Sequence, residues 1–329
     1  MTPVPVQSAL PSPRAPGPRS ESPYLTTPGG RKLASRTWPA LRLFGGLLGG
    51  PVVMGLFIAL GAALDAPWLV AAAGLGILVV ILVSVVLQWM AIFGSASRLR
   101  RAEASLLVRD GADRTAEAVT LAQWALERVF RSDLRMRALY TLALVAERRA
   151  DFAEAARLFQ LAEGALPTFA GLSHATRLRA LTAAHAAFSL AAIGDLPSAG
   201  ALLARAHHQL PNLGRTGLLE GLDDVSMGPL SLNATLNEIE ARRDPRAVAI
   251  LAGALLAYRA REPQRALDAF TGEAQLLAFH TLPHEQLFLK RLEAACIAAL
   301  GGAQYRGAAI VSETASDEAS AAWVGRILG

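Results

Sequence analysis

Two long apolar runs dominate the hydrophobic pattern, Leu43–Leu64 and Trp68–Phe93, with only Asp65-Ala66-Pro67 between them. Neither contains an Asp, Glu, Lys or Arg, and each exceeds the ~20 residues that a helix needs to cross a bilayer. They predict a transmembrane helical hairpin. At helical rise Trp68 and Trp89 stand roughly 30 Å apart, so they mark its two interfaces, and Gln88 sits close to the headgroups. No ionisable group falls at the midplane, where a pump, channel or transporter needs one. The hairpin therefore reads as an anchor. Gly45/Gly49 and Gly46/Gly50 share one face of the first run and permit close approach of another helix, either its hairpin partner or a second protomer.

Beyond Ser97 the pattern changes to apolar residues at three- and four-residue spacing. Strand-type alternation is absent, and Gly, Asp and Pro breaks fall at helical-hairpin intervals. One unit runs from Arg135 to Pro167. Its first helix presents Leu139, Leu142, Ala143 and Ala146, the turn is Ala150-Asp151-Phe152, and the second helix presents Ala155, Phe159 and Ala162. A second unit has Ala187, the turn Gly194-Asp195-Leu196, then Ala199, Leu203 and Ala206 before Pro211. A third has Gly253 or Ala254, the turn Arg261-Glu262-Pro263, then Ala266 and Phe270, and Ala118, Ala122 and Ala125 mark an incomplete copy upstream. Between Asn212 and Asn233 the periodicity fades into a glycine-containing loop. His284–Leu300 and Ala315–Leu328 read as terminal capping helices, with a flexible Gly301–Gly307 link.

Residues 1–40 carry nine prolines among Ser, Thr, Gly and Arg. Too few apolar side chains are present to offset the entropy of ordering, and a disordered, solvated tail is expected. The first apolar run is longer than the ~7–15 residues of a signal-peptide core and the second follows at once, so cleavage is not expected. Three domains result: a tail over 1–40, a membrane hairpin over 41–96 with spans 43–64 and 68–93, and a helical domain over 97–329.

Charge sharpens this division. The net charge is +5 and the isoelectric point near 10.0, yet of 32 basic and 27 acidic residues, residues 1–100 hold eight and two. That leaves 24 basic and 25 acidic groups, a net of −1, for 101–329. The basic excess belongs to the membrane flanks, and nucleic acid binding is not supported. Arg31, Lys32, Arg36 and Arg42 precede the hairpin, Arg98, Arg100 and Arg101 follow it, and the turn between the spans has no positive residue. The positive-inside rule therefore places both ends in the cytoplasm. Lys32 and Lys290 are the only lysines, an arginine bias associated with GC-rich bacterial genomes. The expected location is a bacterial inner membrane.

Candidate chemistry is sparse. His280 and His284 are separated by Pro283, which disfavours one helix through both, and metal binding needs more converging ligands. His207-His208 lies at a helix end, and His185 reads as a core residue. Cys296 is the lone cysteine, inside an Ala-rich helix with no basic residue within a turn to stabilise a thiolate. No phosphate loop, dinucleotide fingerprint or nucleophile elbow is present. No catalytic residue, metal or cofactor is expected.

The Arg135–Pro167 unit, with small residues at Ala143 and Ala155 and a large aromatic at Phe159, resembles the tetratricopeptide repeat over about 110–275. Leu139 and Ala146 depart from the usual aromatics of that pattern. The resemblance implies an all-α protein: two transmembrane helices followed by a tetratricopeptide-like α-solenoid, since repeats that cannot bury a face alone must stack. It also implies that protein or peptide partners bind a concave face formed by the first helices. That face would include Arg137, Tyr140, Leu144, Glu147, Arg148, Phe188, Tyr258 and Arg259. The Asn and Lys set that clamps a carboxylate is missing at Tyr140 and Leu144. The expected function is a membrane-anchored interaction scaffold. The alternatives are an accessory subunit of a larger membrane transport or secretion complex, and an enzyme with an unrecognised site.

Overall fold

The computed structural model describes residues 22–26, 33, 52, 55–64, 66–107, 115–128, 132–166, 173–209, 244–301 and 318–328. Every regular element among them is helical. Residues 55–63 are helical and are labelled α1. Then follow α2 (Pro67–Leu107), α3 (Thr115–Arg128), α4 (Ser132–Arg148), α5 (Phe152–Gly164), α6 (Ser173–Ile193) and α7 (Leu196–Gln209). The remainder are α8 (Pro245–Arg259), α9 (Pro263–Thr271), α10 (Ala274–His280), α11 (Pro283–Ala299) and α12 (Glu318–Leu328). The glycine-spaced opening of the first apolar run and the Asn212–Asn233 stretch lie outside the described residues, as does nearly all of the Gly301–Gly307 link.

Among the described residues one helix, α2, is long and apolar enough to cross a membrane, and only 6% of its most apolar window is buried inside the protein. Its large side chains point outward, with Trp68 70% and Met90 65% exposed. Burying such side chains is worth about 1.5–3 kcal/mol each, so this surface needs an apolar surrounding.

The expected break before Arg98 does not occur. α2 has 41 residues and is about 60 Å long, roughly twice the ~30 Å of a hydrocarbon core. Its last three turns bury Ala96, Leu99, Ala102 and Leu106 against the following helices. The helix continues because the i, i+3, i+4 apolar spacing persists through Ser95, Arg98 and Glu103 even though mean hydropathy falls. The apolar run thus continues without a break into turns that pack on the helical domain.

Successive helices then pack as antiparallel neighbours, α2 on α3, α3 on α4, and so on to α7, with α8 returning against α6. In three places the chain reverses through the same turn. Ala150 (φ 56), Gly194 (φ 87) and Arg261 (φ 66) adopt left-handed backbone, each followed by an acidic residue. The next amide then bonds a carbonyl five residues back, at 2.9 Å (Asp151 to Ala146), 3.0 Å (Asp195 to Leu190) and 2.9 Å (Glu262 to Ala257). This closes the orphan carbonyls of the first helix. Asp151 and Asp195 also cap the second helix, accepting from the amides of Glu154 (3.4 Å) and Ser198 (3.2 Å).

The small residues expected at the hairpin crossings are buried: Ala143 with Ala155, Ala187 with Ala199, Ala254 with Ala266. Phe159, Leu203 and Phe270 fill the layer behind them. α6 is the central helix. From Leu178 to Ala192 all residues but Arg179 are buried, as its apolar composition on all sides requires.

Part of the expected solvated tail is instead packed. Tyr24, Leu25 and Leu33 join the core. The Gln123 side-chain amide donates to the Tyr24 carbonyl at 3.0 Å, Arg135 to the Leu33 carbonyl at 3.1 Å, and the Ser22 hydroxyl to Glu154. Three apolar side chains between prolines suffice because α3, α4 and α5 provide the surface they pack on. Burial pushes the Tyr24 phenol above its ordinary value, with nearby Asp151 adding to the effect.

Candidate functional site

The eight side chains expected on a partner-binding face are divided by the structure. Arg137, Tyr140, Glu147 and Phe188 are buried, and Leu144, Arg148, Tyr258 and Arg259 are half-buried. The exposed contact surface expected from them is corrected accordingly: the first four connect helices to one another. Arg137, 1% exposed, holds Glu103 of α2 through two contacts of 2.5 Å, from Nε to Oε1 and from Nη2 to Oε2. A planar guanidinium suits this two-pronged grip. It fastens the domain to the apolar helix.

A second buried group joins α4 to α6. His185 Nδ1 lies 3.0 Å from Glu147 Oε2, and its Nε2 lies 3.3 Å from the Tyr140 hydroxyl. With Glu147 accepting from Nδ1–H, Nε2 is left to accept from the tyrosine. The imidazole stacks on Phe159 at 4.7 Å and 14°. An acid, an imidazole and a phenol in series can relay a proton. All three are buried, however, so the series serves to satisfy polar groups inside the array.

Part of the expected face meets α12. Trp323, 4% exposed, is enclosed by four rings. Phe188 stacks on it at 5.9 Å and 13°, His284 meets it edge-on at 4.7 Å, and Phe152 and Phe288 lie at 6.1 and 6.3 Å. Its indole N–H donates to the Glu147 carbonyl at 2.8 Å. Arg326 donates to the Arg149 carbonyl at 3.0 Å, and Arg259 donates to the Ile327 carbonyl at 2.5 Å. The cradle is therefore assembled from the ends of α4, α6 and α8 and the starts of α5 and α11. Of the expected residues it contains Phe188, Arg259 and the Glu147 main chain. Phe152, His284, Phe288 and Trp323 were missed. The one sequence signal for them is Trp323 at helical spacing from Ile327.

The expected chemistry of the other candidates is bland. His280 ends α10 and His284 lies in α11, which Pro283 begins. Among the described residues no three His, Cys, Asp or Glu side chains gather to hold a metal. Cys296 is fully buried, and burial, with Glu293 adding, pushes its thiol up to about 11.

Fold and site together define an array of antiparallel helical hairpins, built onto one membrane-length apolar helix and carrying a helix in an aromatic cradle. Compared with protein-family models, curated proteins and solved structures, the chain matches none.

Proposed function

We propose that the chain is a membrane-anchored interaction scaffold. Its two apolar runs form a transmembrane hairpin, and its tetratricopeptide-like domain recruits protein partners at the cytoplasmic face of a bacterial inner membrane. The observation that carries this reading is α2, whose outward apolar surface and buried last turns belong to one unbroken helix.

Docking of the tail supports a hairpin over a single span. Tyr24, Leu25 and Leu33 pack on the same domain as Leu99 and Leu106, so residues 33 and 99 share one side of any membrane. If α2 crosses, the run over 43–64 must cross back. The repeated left-handed turns and buried small pairs support the solenoid reading. The proposed mechanism is recruitment: anchoring confines the domain to the membrane surface and raises its effective concentration near other membrane components.

The test is photo-crosslinking of the intact protein in its membrane, with the reactive residue placed either at Tyr258 or Arg148, or at Leu78 or Leu82. Crosslinks to a discrete partner from the domain positions support the scaffold. Crosslinks from Leu78 and Leu82 alone transfer support to an accessory subunit of a larger membrane complex, and none from any position refutes both.

A further inference from the structure

Where α2 leaves its apolar stretch, two arginines from different helices close on one indole. Arg98 of α2 sets its guanidinium carbon 3.5 Å from the centre of the Trp124 ring of α3, and Arg128 sets its own at 4.4 Å. The ring can approach α2 because Gly94 carries no side chain: a Cβ there would already stand 3.5 Å from Trp124 Cη2. Gly94 and Arg98 are four apart on α2, and Trp124 and Arg128 four apart on α3, so each pair shares a helix face. Side chains on a helix lean toward its N-terminus. That lean swings Arg98 toward the apolar stretch and, on the antiparallel α3, swings Arg128 back from it. The two cations meet at the level of Gly94.

That level lies about 7–8 Å beyond Trp89 at helical rise. A hydrocarbon core of about 30 Å measured from Trp68 ends near Trp89, and the headgroup layer beyond it is roughly 5–8 Å deep. Glu127 accepts from Arg128 at 3.2 Å, whereas among the described residues no carboxylate or carbonyl accepts from Arg98. The indole holds the flat face of the Arg98 guanidinium and leaves its N–H edge for another acceptor. Arg101, exposed, follows one turn later on the same face of α2. In the other direction that face continues into Met90 and Leu87, which are 65% and 60% exposed.

We propose that Arg98, Trp124 and Arg128 form a binding site for the headgroup of an anionic phospholipid, its phosphate on the two guanidinium groups and its acyl chains along Met90 and Leu87. The planar fork of an arginine suits phosphate oxygens, and stacking on Trp124 orients that fork before the lipid arrives. A lipid fits better than a soluble phosphate because the cation and the exposed apolar stripe occupy one face of one helix. Occupied, the site fixes the depth of α2 in the bilayer and holds the Trp124 end of α3 against the membrane surface. This inference rests on the membrane-anchored reading and names the lipid chemistry that the anchor selects.

The experiment titrates the full-length protein in detergent micelles with dioleoyl phosphatidylglycerol or dioleoyl phosphatidylcholine and counts bound lipid by native mass spectrometry. The anionic lipid should be retained at least about fivefold more tightly. Arg98→Gln and Arg128→Gln should each lower that retention about fivefold, while Arg100→Gln, which removes the same charge from another face of α2, should leave it within about twofold. Glycerol phosphate at millimolar concentration lacks acyl chains and should not displace the lipid. Equal retention of the two lipids overturns the proposal. So does a loss on Arg100→Gln as large as on Arg98→Gln, which is the diffuse attraction of a basic flank. Displacement by glycerol phosphate overturns it in favour of a soluble phosphate compound. A lowered thermal melt for Arg98→Gln with unchanged lipid retention makes the stack a brace between α2 and α3, and also overturns it. Failure of the membrane-anchored reading looks different: the chain then stays in solution without detergent.

Discussion

Arg137→Met isolates the joint between the apolar helix and the domain. The Arg137–Glu103 pair is buried, with side-chain exposures of 1% and 6% and contacts of 2.5 Å. Removing one partner strands the other charge in a poorly solvated interior, which costs about 3–5 kcal/mol. Arg265–Glu262 supplies the contrast at a similar separation of 2.9 Å, with exposures of 77% and 48%. Solvent screening reduces a pair of that kind to roughly 0–1 kcal/mol.

Replacing both Arg137 and Glu103 by methionine removes charge and desolvation penalty together, so the double variant should lie within about 1–2 kcal/mol of the parent. Urea unfolding of the full chain in micelles, followed by tryptophan fluorescence, gives the four midpoints of the cycle. With each single variant costing about 3–5 kcal/mol, a coupling of at least about 4 kcal/mol is expected. A cost below about 1 kcal/mol for Arg137→Met, or a double variant as unstable as the sum of the singles, refutes the placement of a buried pair across this joint.

The left-handed turns at Ala150 and Arg261 should each gain about 0.5–1 kcal/mol on substitution by Gly, whereas Gly194→Ala should lose about 1 kcal/mol, read from thermal melts. Phe159→Ala empties a fully buried site and removes the surface on which His185 stacks, at a cost of about 3–5 kcal/mol in the same assay. Cys296 should resist alkylation in the folded chain and react once urea unfolds it. Because its folded pKa is raised from 9.0 to about 11, the neutral thiol's contribution to stability is fully present below the unfolded value. It is lost as pH rises through that window, which urea midpoints across pH 8–11 will register. Leu25→Asp should release the packed tail and speed its proteolysis before the domain unfolds.

Sequence pattern made local features legible and concealed those that depend on closure. The start of the second apolar helix, the helical periodicity and the turns at Asp151, Asp195 and Glu262 each follow from neighbouring residues, and they lie where the pattern located them. The extension of α2 to Leu107 was hidden because Arg98, Arg100, Arg101 and Glu103 lower the mean hydropathy while Leu99, Ala102 and Leu106 preserve the buried stripe. Arg137 and Tyr140 fall on the expected helix, but a charged side chain is exposed by default, and nothing local reveals that Glu103 arrives from α2 to pair with Arg137. The cradle was harder still. It takes Phe152, Phe188, His284 and Phe288 from three helices, and its acceptor on α4 is a main-chain carbonyl that no residue type encodes. Tyr24 and Leu25 were concealed by their prolines, which signal disorder unless a surface is waiting.

Sidedness tests the central claim most directly. In a Cys296→Ala background, single cysteines at Pro23, Ala66 and Ala319 are treated with a membrane-impermeant maleimide in vesicles of each orientation. Pro23→Cys and Ala319→Cys should label from one side and Ala66→Cys only from the other. Labelling of Pro23→Cys and Ala319→Cys from opposite sides, or of all three from the same side, contradicts a two-span anchor whose tail docks on its own helical array.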